Sequence, residues 1–85
     1  MQTDTLISSL ESLLFVSGDP VGFDRLAKAL AVPEEAIHDG LKQLGERYAT
    51  DRASGLMLIS NKKTVVLATK PENASVLETL TKSTL

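Results

Sequence analysis

The 85-residue chain contains no cysteine. That excludes disulfides, thiolate nucleophiles and cysteine-based metal sites, and it fits a reducing cytoplasm. Histidine is almost as scarce. His38 is the only one, so no second imidazole can join it in a zinc site, which needs three or four protein ligands. The serines have no base partner either, because a Ser-His-Asp arrangement requires a histidine held by a carboxylate. His38 falls instead on the polar side of a helical segment and reads as an ordinary surface residue. The five glycines are scattered and form no phosphate-cradling loop. Glu34 and Glu35 are adjacent, so on a helix they diverge by about 100° and cannot act as a facing pair. They read as acidic residues at a helix N-terminus, where the dipole favours them. The sequence therefore predicts no enzyme, no catalytic or metal-binding residue and no cofactor.

Long apolar runs are missing too. None approaches the roughly 18–20 residues of a membrane span. The opening "MQTDTL" has neither the positive flank nor the apolar stretch of a signal peptide. A soluble, cytoplasmic protein is expected. Nor is there an excess of positive charge: nine lysines and arginines stand against eleven acids, a net charge of −2. No global field draws the chain toward nucleic acid or anionic lipid.

What is present is a clear periodicity. Leu6, Ile7, Leu10, Leu13 and Leu14 repeat at the spacing of one broad helical face, which predicts a helix over 4–16. Thr3, Asp4 or Thr5 would cap its start. "SGDP" ends it, with Gly18 suited to the left-handed residue after a helix and Pro20 unable to continue one. Val21 is a short extended piece. "GFDRLAKAL" resumes the helical period through Phe23, Leu26, Ala27 and Leu30, with Gly22 as N-cap. "AVP" is a tight turn, and Pro33 opens a third helix carrying Ile37, Leu41, Leu44 and Tyr48. Gly40 and Gly45 weaken that helix by about 1 kcal/mol each relative to alanine. "LMLIS" and "TVVLAT" are β-rich runs joined by the turn "NKK". "TKPENASVLETL" closes as a helix, with Thr69 and Glu72 at capping-box spacing and Ala74, Leu77 and Leu80 as its apolar face.

This order predicts an α+β fold, a winged helix-turn-helix with a three-helix core, a two- or three-stranded wing and a C-terminal helix. Residues 1–85 make a single domain. A chain this short buries only about 60–65% of the surface it exposes when unfolded, so its core is marginal without a partner.

In many such domains the third helix lies in the DNA major groove. Here its polar side carries Glu34, Glu35, His38, Asp39, Lys42, Gln43, Glu46 and Arg47. Four acids against two bases would be repelled by phosphate, and affinity for DNA comes first from lysine and arginine. A DNA-binding regulator would need Lys42 and Arg47 to form one stripe with Lys62 and Lys63 at the wing tip. Apolar surface is in surplus, by contrast: the first helix carries five large aliphatics, and Phe15 and Val16 lie beyond them. On the hairpin, Leu56, Leu58, Val65 and Leu67 alternate with Met57, Ile59, Val66 and Ala68, so both faces are apolar. Either the last helix covers the second face or a partner does. Self-association through exposed parts of the first helix and hairpin is expected, with Leu6, Ile7, Leu10, Met57 and Val66 as candidate contacts.

Read together, "LESLLFVSGDPVGFDRLAKAL", "LKQLGERY", "GLMLI" and "LATKPENASVLETL" resemble the N-terminal winged-helix domain of the bacterial segregation and condensation protein B (ScpB) family. Leu10, Glu11, Leu13, Leu14, Phe15, Val16, Ser17, Gly18, Asp19 and Pro20 fill the family's first-helix pattern. Thr69, Lys70, Pro71 and Glu72 match the residues that follow its wing. "SNKKTVV" departs from it by lacking the usual glycine pair at the wing tip. The resemblance implies a non-enzymatic, nucleoid-associated subunit of the condensin-like complex that compacts and segregates bacterial chromosomes. It also implies a homodimer that binds the kleisin subunit ScpA and, through it, the structural-maintenance-of-chromosomes (SMC) ATPase, without sequence-specific DNA binding. Because the family has a second winged-helix domain, the resemblance makes this chain the first of two.

Overall fold

A computed structural model describes residues 1–83. Helix α1 spans Thr3–Ser17, α2 Phe23–Leu30, α3 Glu34–Thr50 and α4 Ala74–Ser83. Strands β1 (Val21–Gly22), β2 (Leu56–Ser60) and β3 (Thr64–Thr69) form one antiparallel sheet in the order β1-β3-β2. The helix-turn-helix with its wing is as expected, and Val21 does supply the third strand, opposite Val65. Both hairpin strands begin and end where the β-rich runs do.

Local chemistry explains the helix ends, with three departures from expectation. Gly18 terminates α1 in the left-handed region at φ 68°, its N–H donating to the Leu14 carbonyl. A glycine there avoids the Cβ clash any other L-residue would meet. The start of α1 is not capped by Thr3, Asp4 or Thr5: Gln2 is the N-cap, with no side-chain bond, and its carbonyl accepts from the Leu6 N–H. Pro33 stands one position earlier than expected, as the N-cap of α3, its carbonyl accepting from the Ala36 and Ile37 N–H groups. The Thr69–Glu72 capping box does not form. Pro71–Asn73 instead make a single 3₁₀ turn whose N-cap is Lys70, without side-chain capping. With Lys70 as N-cap, Thr69 and Glu72 fall at the N′ and N2 positions, off the capping-box spacing, and Pro71 contributes no N–H of its own.

Three helices close over one face of the sheet. Leu6, Leu10, Leu14, Phe23, Leu26, Ala27, Ile37, Leu41 and Val65 form the main cluster, with Leu58 and Leu67 packed against it. Ile7, Leu44 and Tyr48 form a second cluster that shares Leu58 and Leu67. In the hairpin Leu58 stands opposite Leu67, Met57 opposite Ala68 and Ile59 opposite Val66. Opposed residues share a face, so Leu58 and Leu67 look inward while Met57, Ile59, Val66 and Ala68 form the outer face. The last helix does not cover that face. Ala74 to Lys82 are all exposed, and α4 packs chiefly against the 3₁₀ turn that leads into it. Periodicity announces an apolar stripe but not what it faces.

Candidate interaction surface

Side chains on the outward face of α3 are where the sequence puts them. Glu34, Glu35, His38, Asp39, Lys42, Gln43, Glu46 and Arg47 are all exposed. The four basic candidates do not make one stripe. Lys42 and Arg47 are five residues apart, so they diverge by about 140° around the helix axis. Lys42 lines the groove between α3 and the wing, with His38, Glu46 and Leu58. Arg47 lies on the opposite side, its guanidinium 3.7 Å from the Asp4 carboxylate of α1. That pair is fully at the surface and adds little stability, but it turns Arg47 away from the wing. Lys62 and Lys63 are exposed at the wing tip. Asn61 shapes that tip, its Oδ1 accepting from the Lys63 N–H (2.8 Å) and the Thr64 N–H (2.7 Å). His38 leans on the Phe23 ring, with 4.5 Å between centroids. Among the described residues no three histidine or acidic side chains gather as a metal site, and no helix is long and apolar enough to cross a membrane.

The expected contact residues on α1 need correction. Leu6, Ile7 and Leu10 are 8%, 3% and 0% exposed. They face α3 and the sheet inside the core and are not available to a partner. Met57 and Val66 are part-exposed on the outer face of the wing, beside Ile59 at 52%. The open apolar surface of α1 is instead Phe15 and Val16, 75% and 83% exposed. The helical period already separates these two from the Leu6-Leu10-Leu14 face, and a helical projection would have singled them out. They line a groove of about 330 Å³ with Glu11, Ser12, Leu56 and Leu67. Val76, Leu77 and Leu80 on α4 add a further apolar stripe, 68%, 40% and 64% exposed.

Besides the Arg47–Asp4 pair, a second polar contact ties α1 to α3. The Tyr48 hydroxyl, on a ring that is nearly buried, donates to Glu11 Oε2. Burial first, then the bond to Glu11 and its negative charge, push the Tyr48 phenol well above its usual value. With the folded value raised above the unfolded one, the contribution is complete below about pH 10 and is lost as pH rises beyond it. Tyr48→Phe is expected to cost about 1 kcal/mol at neutral pH. It should also flatten the decline in stability above about pH 10, measured by urea unfolding at stepped pH.

The model of the family described as "Segregation and condensation complex subunit ScpB" matches residues 8–85, nearly the whole chain. The chain belongs to this family. Segregation and condensation protein B of Streptococcus sanguinis is 38% identical over 72 residues, which are 84% of this chain and 38% of that protein. The crystal structure of ScpB from Mycobacterium tuberculosis superposes with a TM-score of 0.88 at 29% identity, over 98% of this chain and 51% of that one. A crystal structure of a dimer of the ScpB N-terminal domain complexed with a ScpA peptide superposes with a TM-score of 0.83 at 27% identity, over 91% of this chain and 95% of that one. The chain thus spans about 38–45% of the length of curated ScpB relatives.

Proposed function

We propose that this winged-helix domain is a non-enzymatic interaction module of the SMC–kleisin complex, acting in chromosome condensation and segregation. It is the N-terminal domain of a two-domain ScpB subunit. It dimerises and binds the kleisin ScpA, and through ScpA it joins the SMC ATPase at the nucleoid. The observation that carries the reading is the likeness to the dimeric ScpB N-terminal domain bound to a ScpA peptide, over 91% of this chain. The surface agrees in kind. A small domain that leaves Phe15, Val16, Ile59 and Val76 each more than half exposed gains by covering them with a partner. The mechanism is scaffolding by burial of apolar surface, with no bond made or broken.

Sedimentation of the 85-residue chain from low to high micromolar concentration tests the dimer, and titration with a ScpA peptide tests the kleisin contact. A strict monomer throughout would overturn the first, and an unbound peptide the second. A DNA-binding regulator of the same fold is the rival, and the scattered basic residues and acidic α3 argue against it. The expected result is no measurable duplex binding near 50 mM salt, whereas a phosphate-contacting protein would bind there with a log–log salt slope of about −0.9 per neutralised phosphate.

A further inference from the structure

We propose that α4 of one protomer seats in the groove beside Phe15 and Val16 of a second copy, and that the exchange is reciprocal. The proposal rests on the dimer reading above and assigns that dimer its contacts. The groove is concave and mostly apolar, walled by the end of α1 and by Leu56 and Leu67 at the base of the wing. The stem of α4 lies at its edge. The Lys70 N–H donates to the Gly55 carbonyl at 2.8 Å, and the Asn73 side chain sits against Gly55, next in sequence to Leu56. The helix then leaves the domain with Val76 and Leu77 turned to solvent.

A convex apolar helix beside a concave apolar groove is a self-complementary pair. Two such surfaces related by a twofold axis satisfy each other, and the contact closes at two subunits. The dimensions agree: ten residues of helix span about 15 Å, enough to lay one turn bearing Val76 and Leu77 across a groove of about 330 Å³. Val76 and Leu77 are about 100° apart around the helix and together form one broad apolar edge; an apolar helix edge laid in an apolar groove is a recurrent mode of recognition. Glu11 and Ser12 at the rim leave the groove little positive charge, so it suits an apolar helix better than an acidic segment.

The test uses the absence of native cysteine. Phe15→Cys and Val76→Cys each place a single thiol at an exposed position. An equimolar mixture of the two variants, treated with a short bis-maleimide, should give a covalent dimer containing one of each, in severalfold higher yield than either variant alone. The double variant should cross-link between chains and not within one. Leu77→Asp should raise the dimer dissociation constant roughly 30-fold or more, because by symmetry the change enters the interface twice. Its thermal midpoint in dilute solution should be unchanged. A dimer by sedimentation that gives no mixed cross-link overturns this seating and leaves the dimer reading intact. A chain that stays monomeric at high micromolar concentration overturns both. A within-chain cross-link in the double variant shows α4 folding back over its own groove and overturns the exchange.

Discussion

Leu10→Ala is expected to lower the stability of the domain by about 3–5 kcal/mol, out of a total of roughly 5–15 kcal/mol for a protein of ordinary stability. Leu10 is wholly inaccessible, and it packs in the main cluster where α1 meets α3. Its delta carbon comes so near Gly40 that a methyl group there would be 2.8 Å away. The site is held by helices on both sides, so the cavity left by alanine cannot collapse far, which places the cost in the upper part of the range for leucine truncation. Urea unfolding followed by circular dichroism would measure it. Phe15→Ala, five residues further along the same helix, should change the stability of the monomer by less than about 0.5 kcal/mol, because that side chain is already in water. The contrast checks the division of α1 into a core side and an open side. Equal losses at the two positions would contradict it.

The two glycines of α3 should respond in opposite directions to the same substitution. Both carry the same helix-propensity penalty of about 1 kcal/mol relative to alanine. At Gly45 a new Cβ would meet only the Leu58 Cδ1 at 3.7 Å, an ordinary contact. Gly45→Ala should therefore stabilise by about 1 kcal/mol, or roughly 4–8 °C in thermal midpoint for a domain of this size. At Gly40 the new Cβ would meet the Leu10 Cδ1 at 2.8 Å and the Leu6 Cδ2 at 3.4 Å. A leucine terminus can usually move aside, but Leu10 is enclosed on all sides. Overpacking of about 1–3 kcal/mol then exceeds the propensity gain, so Gly40→Ala should destabilise by about 1 kcal/mol. Thermal scans of the two variants decide it, and a gain at Gly40 would show that α1 and α3 can part at little cost.

Helix periods, the stops at Gly18 and Pro20, and the β-rich runs on either side of "NKK" are properties of neighbouring residues. They determine local conformation through backbone sterics and hydrogen bonding, and the structure keeps them. The acidic face of α3 is legible for the same reason, since charge composition does not depend on packing. The spacing of Leu6, Ile7 and Leu10 is that of an amphipathic stripe, and a stripe looks alike whether it meets α3 of its own chain or another molecule. Phe15 and Val16 stand outside that stripe, and their own position on the helix identifies them.

By itself the sequence determined the succession of elements, the winged-helix class, the family and the wrong charge for a DNA-reading helix. Each follows from residue order, local propensity or net charge. Only the tertiary structure decided which apolar residues are enclosed. Burial belongs to the arrangement of helices and sheet around a shared core, and it needs contacts between residues far apart in the chain. Leu10 against Gly40 and Tyr48 against Glu11 are contacts of that kind.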